Sequence, residues 1–221
     1  MLIVLEGLDG AGKSTQVKMI SGHLAQTGKK TKFLHFPRFD APVYGELIAK
    51  FLRGDFGDNN QVHPQLVALL YAEDRHDAAG MIRQWLDEGY YVILDRYVYS
   101  NIAFQCAKMN SKEEASQLRD WIFDLEYNHY GIPKPDLNLL LDVPIEFIDN
   151  NLKNARNGED RKYLQGRKDI HEANLDFQVK VRNVYLEQCL LDETFKRIDC
   201  AGKDGKMLPA EDIFDKIKEL L

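Results

Sequence analysis

Cysteine is scarce in this chain: Cys106, Cys189 and Cys200 are its three thiols among 221 residues. Their odd number and wide spacing speak against a disulfide framework and match no metal-ligand pattern. Isolated cysteines of this kind read as small core residues. No apolar run approaches the roughly 20 residues that a membrane-spanning helix needs. Positive charge is not in excess either. Against 29 Lys and Arg stand 35 Asp and Glu, a net charge of -6, which excludes a general nucleic-acid binder. Internal repeats and low-complexity linkers are also missing. The first residues run straight into a strand-like segment carrying functional groups, which argues against a cleaved signal peptide. These absences leave the expectation of a cytoplasmic protein with neither membrane nor nucleic acid as partner. With 44% hydrophobic residues, the chain suits a single α/β domain spanning 1–221.

Five strand-like runs recur: Leu2–Glu6, Thr31–Phe36, Tyr90–Asp95, Leu137–Val143 and Phe195–Asp199. Between them lie longer stretches of helical period, such as QLVALLYAEDRHDAAGMIRQWLDEG and DFQVKVRNVYLEQCLL. Gly28 and Gly89 mark helix ends. Apolar strands alternating with helices predict a doubly wound parallel sheet covered on both faces. One stretch departs from this pattern. From Lys153 to Lys168, KNARNGEDRKYLQGRK is polar and basic, as a solvated surface loop would be.

The first strand runs into GLDGAGKS, which satisfies G-x-x-x-x-G-K-[ST] at Gly7, Gly12, Lys13 and Ser14. A strand before and a helix after give this pattern its meaning. Backbone N–H groups from Gly7 through Gly10, Ala11, Gly12 and on to Thr15 can curl around the phosphates of ATP, and the helix N-terminus adds partial positive charge. Lys13 can reach the β and γ phosphates, and the Ser14 hydroxyl can ligate Mg²⁺. Such a loop serves GTPases, motor ATPases and small-molecule kinases alike, although the chain lacks the guanine-reading N-K-x-D motif.

Other groups cluster at strand ends. Asp95 closes a buried strand where a metal sits in a doubly wound sheet, and Arg96 adds charge beside it. Arg38 follows the second strand at the same end of the sheet and carries a planar fork suited to phosphate. Tyr71 and Arg75, four residues apart, share one helix face. Such a pair serves either as a solvated surface pair or as a stacking and hydrogen-bonding platform for a base. Phe39, Tyr97, Asn101 and Phe104 are candidates to complete that pocket.

LIVLEGLDGAGKST, FPR, LLYAEDR, DRYVYSNIAF, IPKPDL and the basic segment before DIHEANLDFQ occur in the order and spacing of thymidylate kinases. From Leu2 to about Tyr185 the chain resembles that family. The resemblance implies a P-loop nucleoside monophosphate kinase fold, transfer of the ATP γ-phosphoryl group to dTMP, and assembly as a homodimer. By position, it assigns Asp9 to the neighbourhood of the acceptor sugar and metal, and Arg38 and Arg96 to the acceptor phosphate. Asp95 falls beside Mg²⁺, and Tyr71 takes the place of an aromatic, usually Phe, that stacks on thymine. Arg75 is assigned to the base edge, with Asn101 as a polar neighbour. Lys153–Lys168 becomes a mobile lid, followed by the acidic residues Asp169 and Glu172, which join Ser14 and Asp95 as candidate metal ligands.

Two positions set this chain apart within the resemblance. His171 stands where many relatives carry Tyr. Gly10 occupies a site where the eukaryotic type has Arg, so the chain resembles the bacterial type, whose catalytic arginines lie in the lid. Of Arg156, Arg161 and Arg167, the last two lie closer to the acidic KDIHE segment and are the catalytic candidates. Two rival readings remain: a deoxynucleoside kinase, whose hydroxyl acceptor needs a carboxylate base, and an ATP-gated binding module.

Overall fold

The computed structural model of the chain describes residues 1–59, 61–153, 159–167, 169–171 and 174–221, and leaves aside the side chains of 151–153 and 159–161. Its centre is a five-stranded, all-parallel sheet in the order β2-β3-β1-β4-β5. The strands are β1 (Leu2–Gly7), β2 (Thr31–His35), β3 (Tyr91–Asp95), β4 (Leu137–Asp142) and β5 (Phe195–Asp199). Each lies within a residue or two of the run expected from apolar patterning. β1 and β4 are buried along their whole length because they are central strands covered on both faces.

Among the described residues, eight α-helices connect and cover the sheet: α1 (Lys13–Gln26), α2 (Tyr44–Leu52), α3 (Pro64–Asp87), α4 (Val98–Cys106), α5 (Lys112–Phe123), α6 (Ile145–Lys153), α7 (Leu175–Leu191) and α8 (Ala210–Lys218). A wide π-helical turn, Asp124–His129, continues α5, and a 3₁₀ segment, Glu159–Leu164, lies in the basic stretch. α4 packs against α3, α5 and α7, while α1 packs against α8. Among the described residues, no helix is long and apolar enough to cross a membrane.

The chain order reverses at β1, which lies between β3 and β4. Open α/β sheets bind ligands at the carboxyl ends of strands flanking such a reversal. The register brings the relevant groups level: Leu5 pairs with Asp95, and His35 pairs with Asp95 from the other side. Two apolar clusters support this end of the molecule. The large one joins the sheet to most helices, and a smaller one gathers Ile48, Phe51, Leu52 and Val67 where α2 meets α3.

Candidate active site

The loop between β1 and α1 is built for close approach. Gly12 has φ 85°, and a Cβ placed there would meet no atom within 4 Å, so its surroundings are open. Gly7 has φ 145°, and a Cβ there would come 3.0 Å from the Leu141 carbonyl oxygen of β4. Glycine at that position therefore lets β1 and β4 stay paired while the chain turns. As first-turn residues of α1, Lys13 and Ser14 have N–H groups with no partner earlier in the helix. The Lys13 ammonium folds back on the loop, donating to the carbonyl oxygens of Leu8 at 3.1 Å and Gly7 at 3.4 Å. Burial, then Arg96, pushes this ammonium below its ordinary pKa, while Asp95, Asp9 and Glu6 oppose the shift.

A cavity of about 410 Å³ opens from this loop. Ser14, Asp95, Asp9 and Arg96 line it together with Tyr71, Arg75, Asn101, Phe39 and Phe104. Arg96 is the pivot. Its Nη2 donates to Asp9 Oδ1 at 2.7 Å and its Nη1 to Ser100 Oγ at 3.1 Å, with its guanidinium 5.1 Å from the Phe104 ring. Its backbone has φ 69°, a left-handed conformation uncommon outside glycine. Beneath it Glu6, fully buried on β1, accepts from the Tyr97 and Ser100 N–H groups and from the Tyr185 hydroxyl. Burial pushes the Glu6 carboxyl up despite these donors and the nearby Arg96 charge.

Asp95 carries the clearest sign of an absent partner. Its Oδ1 is buried, makes no hydrogen bond, and lies 3.9 Å from the Lys13 ammonium. The other oxygen lies 3.3 Å from His35 Nδ1. Burial alone would raise this carboxyl, yet Lys13, His35 and Arg96 bring it below its usual value, so it is ionised. An orphaned anionic oxygen in a cavity that Ser14 also lines suits a hard divalent cation such as Mg²⁺.

At the far end of the cavity, Arg75 is only 2% exposed and forms a two-pronged pair with the fully buried Glu126, Nη2 donating to Oε1 at 2.7 Å. Because Nε and Nη2 both face Glu126, Nη1 is the edge left for another acceptor. Asn101 Nδ2 donates to the Ala68 carbonyl oxygen at 3.0 Å and to Glu126 Oε1 at 3.1 Å. Both partners are acceptors, which fixes the orientation of the amide. Asn101 Oδ1 is thereby left buried and without a partner. The donor edge of Arg75 and the orphaned acceptor of Asn101 thus belong to two residues that share Glu126 and line the same cavity as Tyr71.

The family model for thymidylate kinase matches residues 5–207. The chain belongs to the thymidylate kinase family. It is 35% identical to the thymidylate kinase of Mycobacterium tuberculosis over 189 residues, covering 85% of each chain. A probable thymidylate kinase from Archaeoglobus fulgidus is 32% identical over 222 residues, covering all of this chain and 94% of that one. In structure, the chain resembles the thymidylate kinase of Candida albicans, with a TM-score of 0.72 and 28% identity across 99% of this chain and 89% of the other.

Not every residue expected at a thymidylate kinase site faces the cavity here. Arg38 is absent from its wall. Two carboxylates of α3 hold its guanidinium instead: Nε donates to Asp74 Oδ1 at 2.8 Å and Nη2 to Asp77 Oδ2 at 2.6 Å. Tyr97, expected as a pocket residue, is buried away from it, its hydroxyl donating to the Pro133 carbonyl oxygen. Arg167 pairs with Asp55 in the loop after α2 rather than reaching the phosphate loop. Asp169 lines the cavity, but its oxygens accept from the Tyr163 hydroxyl and the His171 N–H, each at 2.7 Å. Among the described residues no cluster of three or more metal-ligating side chains forms. Arg156, Lys168 and Glu172 lie outside the described residues, and so does the side chain of Arg161.

Sequence patterning missed Glu126, Glu6, Tyr163 and Lys108. Glu126 left a faint signal: a carboxylate set between Leu125 and Tyr127 in the aromatic stretch FDLEYNHY needs a cation if it is buried. His171, which replaces the more usual Tyr, is buried among Phe51, Phe104 and Phe177. Burial, together with Lys108, holds its imidazole well below its usual pKa and therefore neutral.

Proposed function

We infer that the phosphate loop and the cavity beside it are the donor and acceptor sites of a dTMP kinase, which transfers the γ-phosphoryl group of ATP to dTMP and yields ADP and dTDP for dTTP synthesis. Family membership carries the reaction. The observation that supports the assignment of the cavity is that Arg75, with a donor edge left over, and Asn101, with an orphaned acceptor, both hang on Glu126 and line that cavity. Thymine presents a carbonyl oxygen next to a ring N–H, so a donor and an acceptor in that order satisfy it. Cytosine presents the reverse and would leave both protein groups unpaired, which costs about 1–3 kcal/mol for each. The stacking partner for the ring is Tyr71, and Phe104 and Phe39 complete the apolar wall.

At the other end, Arg96 meets the acceptor phosphate, with Asp9 holding the guanidinium in place and marking the sugar side. An acceptor phosphate is already a dianion near neutral pH, so no general base is required. Catalysis comes from alignment and charge neutralisation. Ser14 and Asp95 would hold Mg²⁺, which when bound would neutralise charge on the donor phosphates. Lys13, released from the loop carbonyls, reaches the β and γ phosphates. Arg38 joins the acceptor phosphate only by leaving Asp74 and Asp77.

Residues 153–168 form the lid of a single kinase domain of the bacterial type, and Arg161 and Arg167 bring to the transferring group the charge that Gly10 cannot. Free thiols at Cys106, Cys189 and Cys200 agree with a cytoplasmic setting. Assembly as a homodimer rests on the family resemblance. A coupled ADP-release assay across all nucleoside monophosphates tests the whole reading. dTMP should lead, with dCMP slower by roughly 10²-fold or more. Thymidine accepted as readily as dTMP would transfer the assignment to a deoxynucleoside kinase.

A further inference from the structure

Just past the end of α4, Lys108 is a cation for which the phosphate chemistry has no use. Its ammonium donates to Gln105 Oε1 at 2.9 Å, lies 3.4 Å from His171 Nε2 and sits 5.1 Å from the centre of the Phe51 ring. Among the described residues no carboxylate pairs with it, and burial alone pushes its pKa down. Lys108 is not part of the cavity wall, but Gln105 and His171 both are. The cation stands behind that wall and grips two of its side chains.

An ammonium has donors and no acceptor, so the carbonyl oxygen of Gln105 must be the atom that faces it. That turns the Gln105 Nε2 donor the other way. Gln105 is only 1% exposed, and among the described residues its Nε2 has no hydrogen-bond partner. Gln105 follows Asn101 by four residues, so the two project from one face of α4. The wall therefore carries a second donor, Gln105 Nε2, besides the Arg75 donor edge and the Asn101 acceptor. Thymine has a second carbonyl oxygen on the far side of its ring N–H. Cytosine carries that same oxygen.

We propose that Lys108 is a positioning residue of the acceptor site, turning the Gln105 amide so that Nε2 donates to the carbonyl oxygen that thymine and cytosine share. This rests on the reading of the cavity as the acceptor site. Lys108 itself touches no substrate atom. His171 and the Phe51 ring hold its ammonium at Gln105. Without that ammonium nothing fixes which end of the Gln105 amide faces the cavity, and the oxygen loses its donor. Labour is divided along the wall: Arg75 and Asn101 choose between the bases, while Lys108 and Gln105 tighten both alike.

Calorimetric titration of the full chain with dTMP and with dCMP tests this. Lys108→Met, similar in volume but without a donor, should weaken both about three- to tenfold, the worth of one neutral hydrogen bond, and keep their ratio. Gln105→Met should do the same. In the double variant the two losses should not add, because Lys108 acts through Gln105. Lys108→Gln restores an N–H donor and should recover part of the affinity. A merely structural role would move the melting temperature and leave both affinities alone. Parental affinities in Lys108→Met, a loss confined to one base, or losses that add in full would each overturn the proposal. Tyr71→Ala is the control on the cavity. If it weakens dTMP and Lys108→Met does not, the acceptor site stands and the positioning role falls. If Tyr71→Ala leaves dTMP affinity at the parental value, the acceptor assignment fails and takes the proposal with it.

Discussion

Glu126→Ala isolates the residue that sets the geometry of base selection without touching the base. Glu126 is fully buried, and its carboxylate holds Arg75 by two prongs and Asn101 by one. Truncating it leaves the Arg75 guanidinium charged and without its counter-ion in the interior. Breaking a buried pair in this way costs about 3–5 kcal/mol. For a chain of this size, about 2–4 °C is lost per kcal/mol, so melting should fall by roughly 6–20 °C. The acceptor site should suffer separately. With Arg75 and Asn101 both free to turn, one charged hydrogen bond to the base is lost, worth about 1.5–3 kcal/mol, or about a tenfold to hundredfold rise in KM for dTMP. The rate at saturating dTMP should change less, because the phosphate end is unaltered. Glu126→Gln keeps the volume and one acceptor and should fall between the two enzymes. Thermal melting and steady-state kinetics on dTMP and dCMP read both effects. Parental melting would refute the claim that the pair is structural, and a parental KM in the melted-down variant would refute the positioning role.

Other perturbations address the remaining parts. Lys13→Ala should lower turnover by about a thousandfold with little change in dTMP affinity, and near-normal turnover would make the loop merely structural. Arg75→Ala should raise the KM for dTMP and narrow its advantage over dCMP; equal use of dCMP by the unmutated enzyme would sink this assignment. Arg161→Ala and Arg167→Ala should reduce kcat strongly while leaving the acceptor's binding constant nearly unchanged, and single-turnover rates within a few-fold of the parent for both would reduce the lid to a cover. Burial pushes the Lys108 ammonium down to about 7, beside Gln105 and His171. Between pH 7 and the ordinary lysine value of 10.5, the unfolded chain then binds the extra proton, so stability rises with pH across that window. Lys108→Met should therefore stabilise the fold by about 2–5 kcal/mol near pH 6 and much less near pH 10. Urea midpoints at the two pH values test this, and an equal gain at both would contradict it.

The sheet was legible because its signals are local. Continuous apolar runs ending in Gly7, Asp95 and Asp142 mark central strands, and Gly28 and Gly89 sit with φ near 80° where α1 and α3 stop. The phosphate loop was equally plain, since a strand, glycines and a helix follow one another within a few residues. What stayed hidden depends on distance along the chain. Glu126 meets Arg75 across 51 positions, and Glu6 meets Tyr185 across 179. Arg38 signalled a phosphate ligand, but its partners Asp74 and Asp77, more than 35 residues away, could not be foreseen from its neighbours in sequence. Tyr163 gave no warning at all, because a single aromatic in a basic segment has no period that reveals the face it covers.

The left-handed backbone at Arg96 bears on how this protein tolerates change. A non-glycine residue held in that region costs on the order of 1 kcal/mol or more, and glycine there would relieve it. Asn and Asp also settle there readily, yet neither they nor glycine carries a cationic fork. Glycine at position 96 would nevertheless break the ion pair with Asp9, take the cationic charge away from the buried Glu6 and leave a gap beside the Phe104 ring. These losses exceed the backbone relief, so the strained conformation is held in place by contacts that an arginine alone makes. Folding and the charge of the site thus bind this position to the same residue.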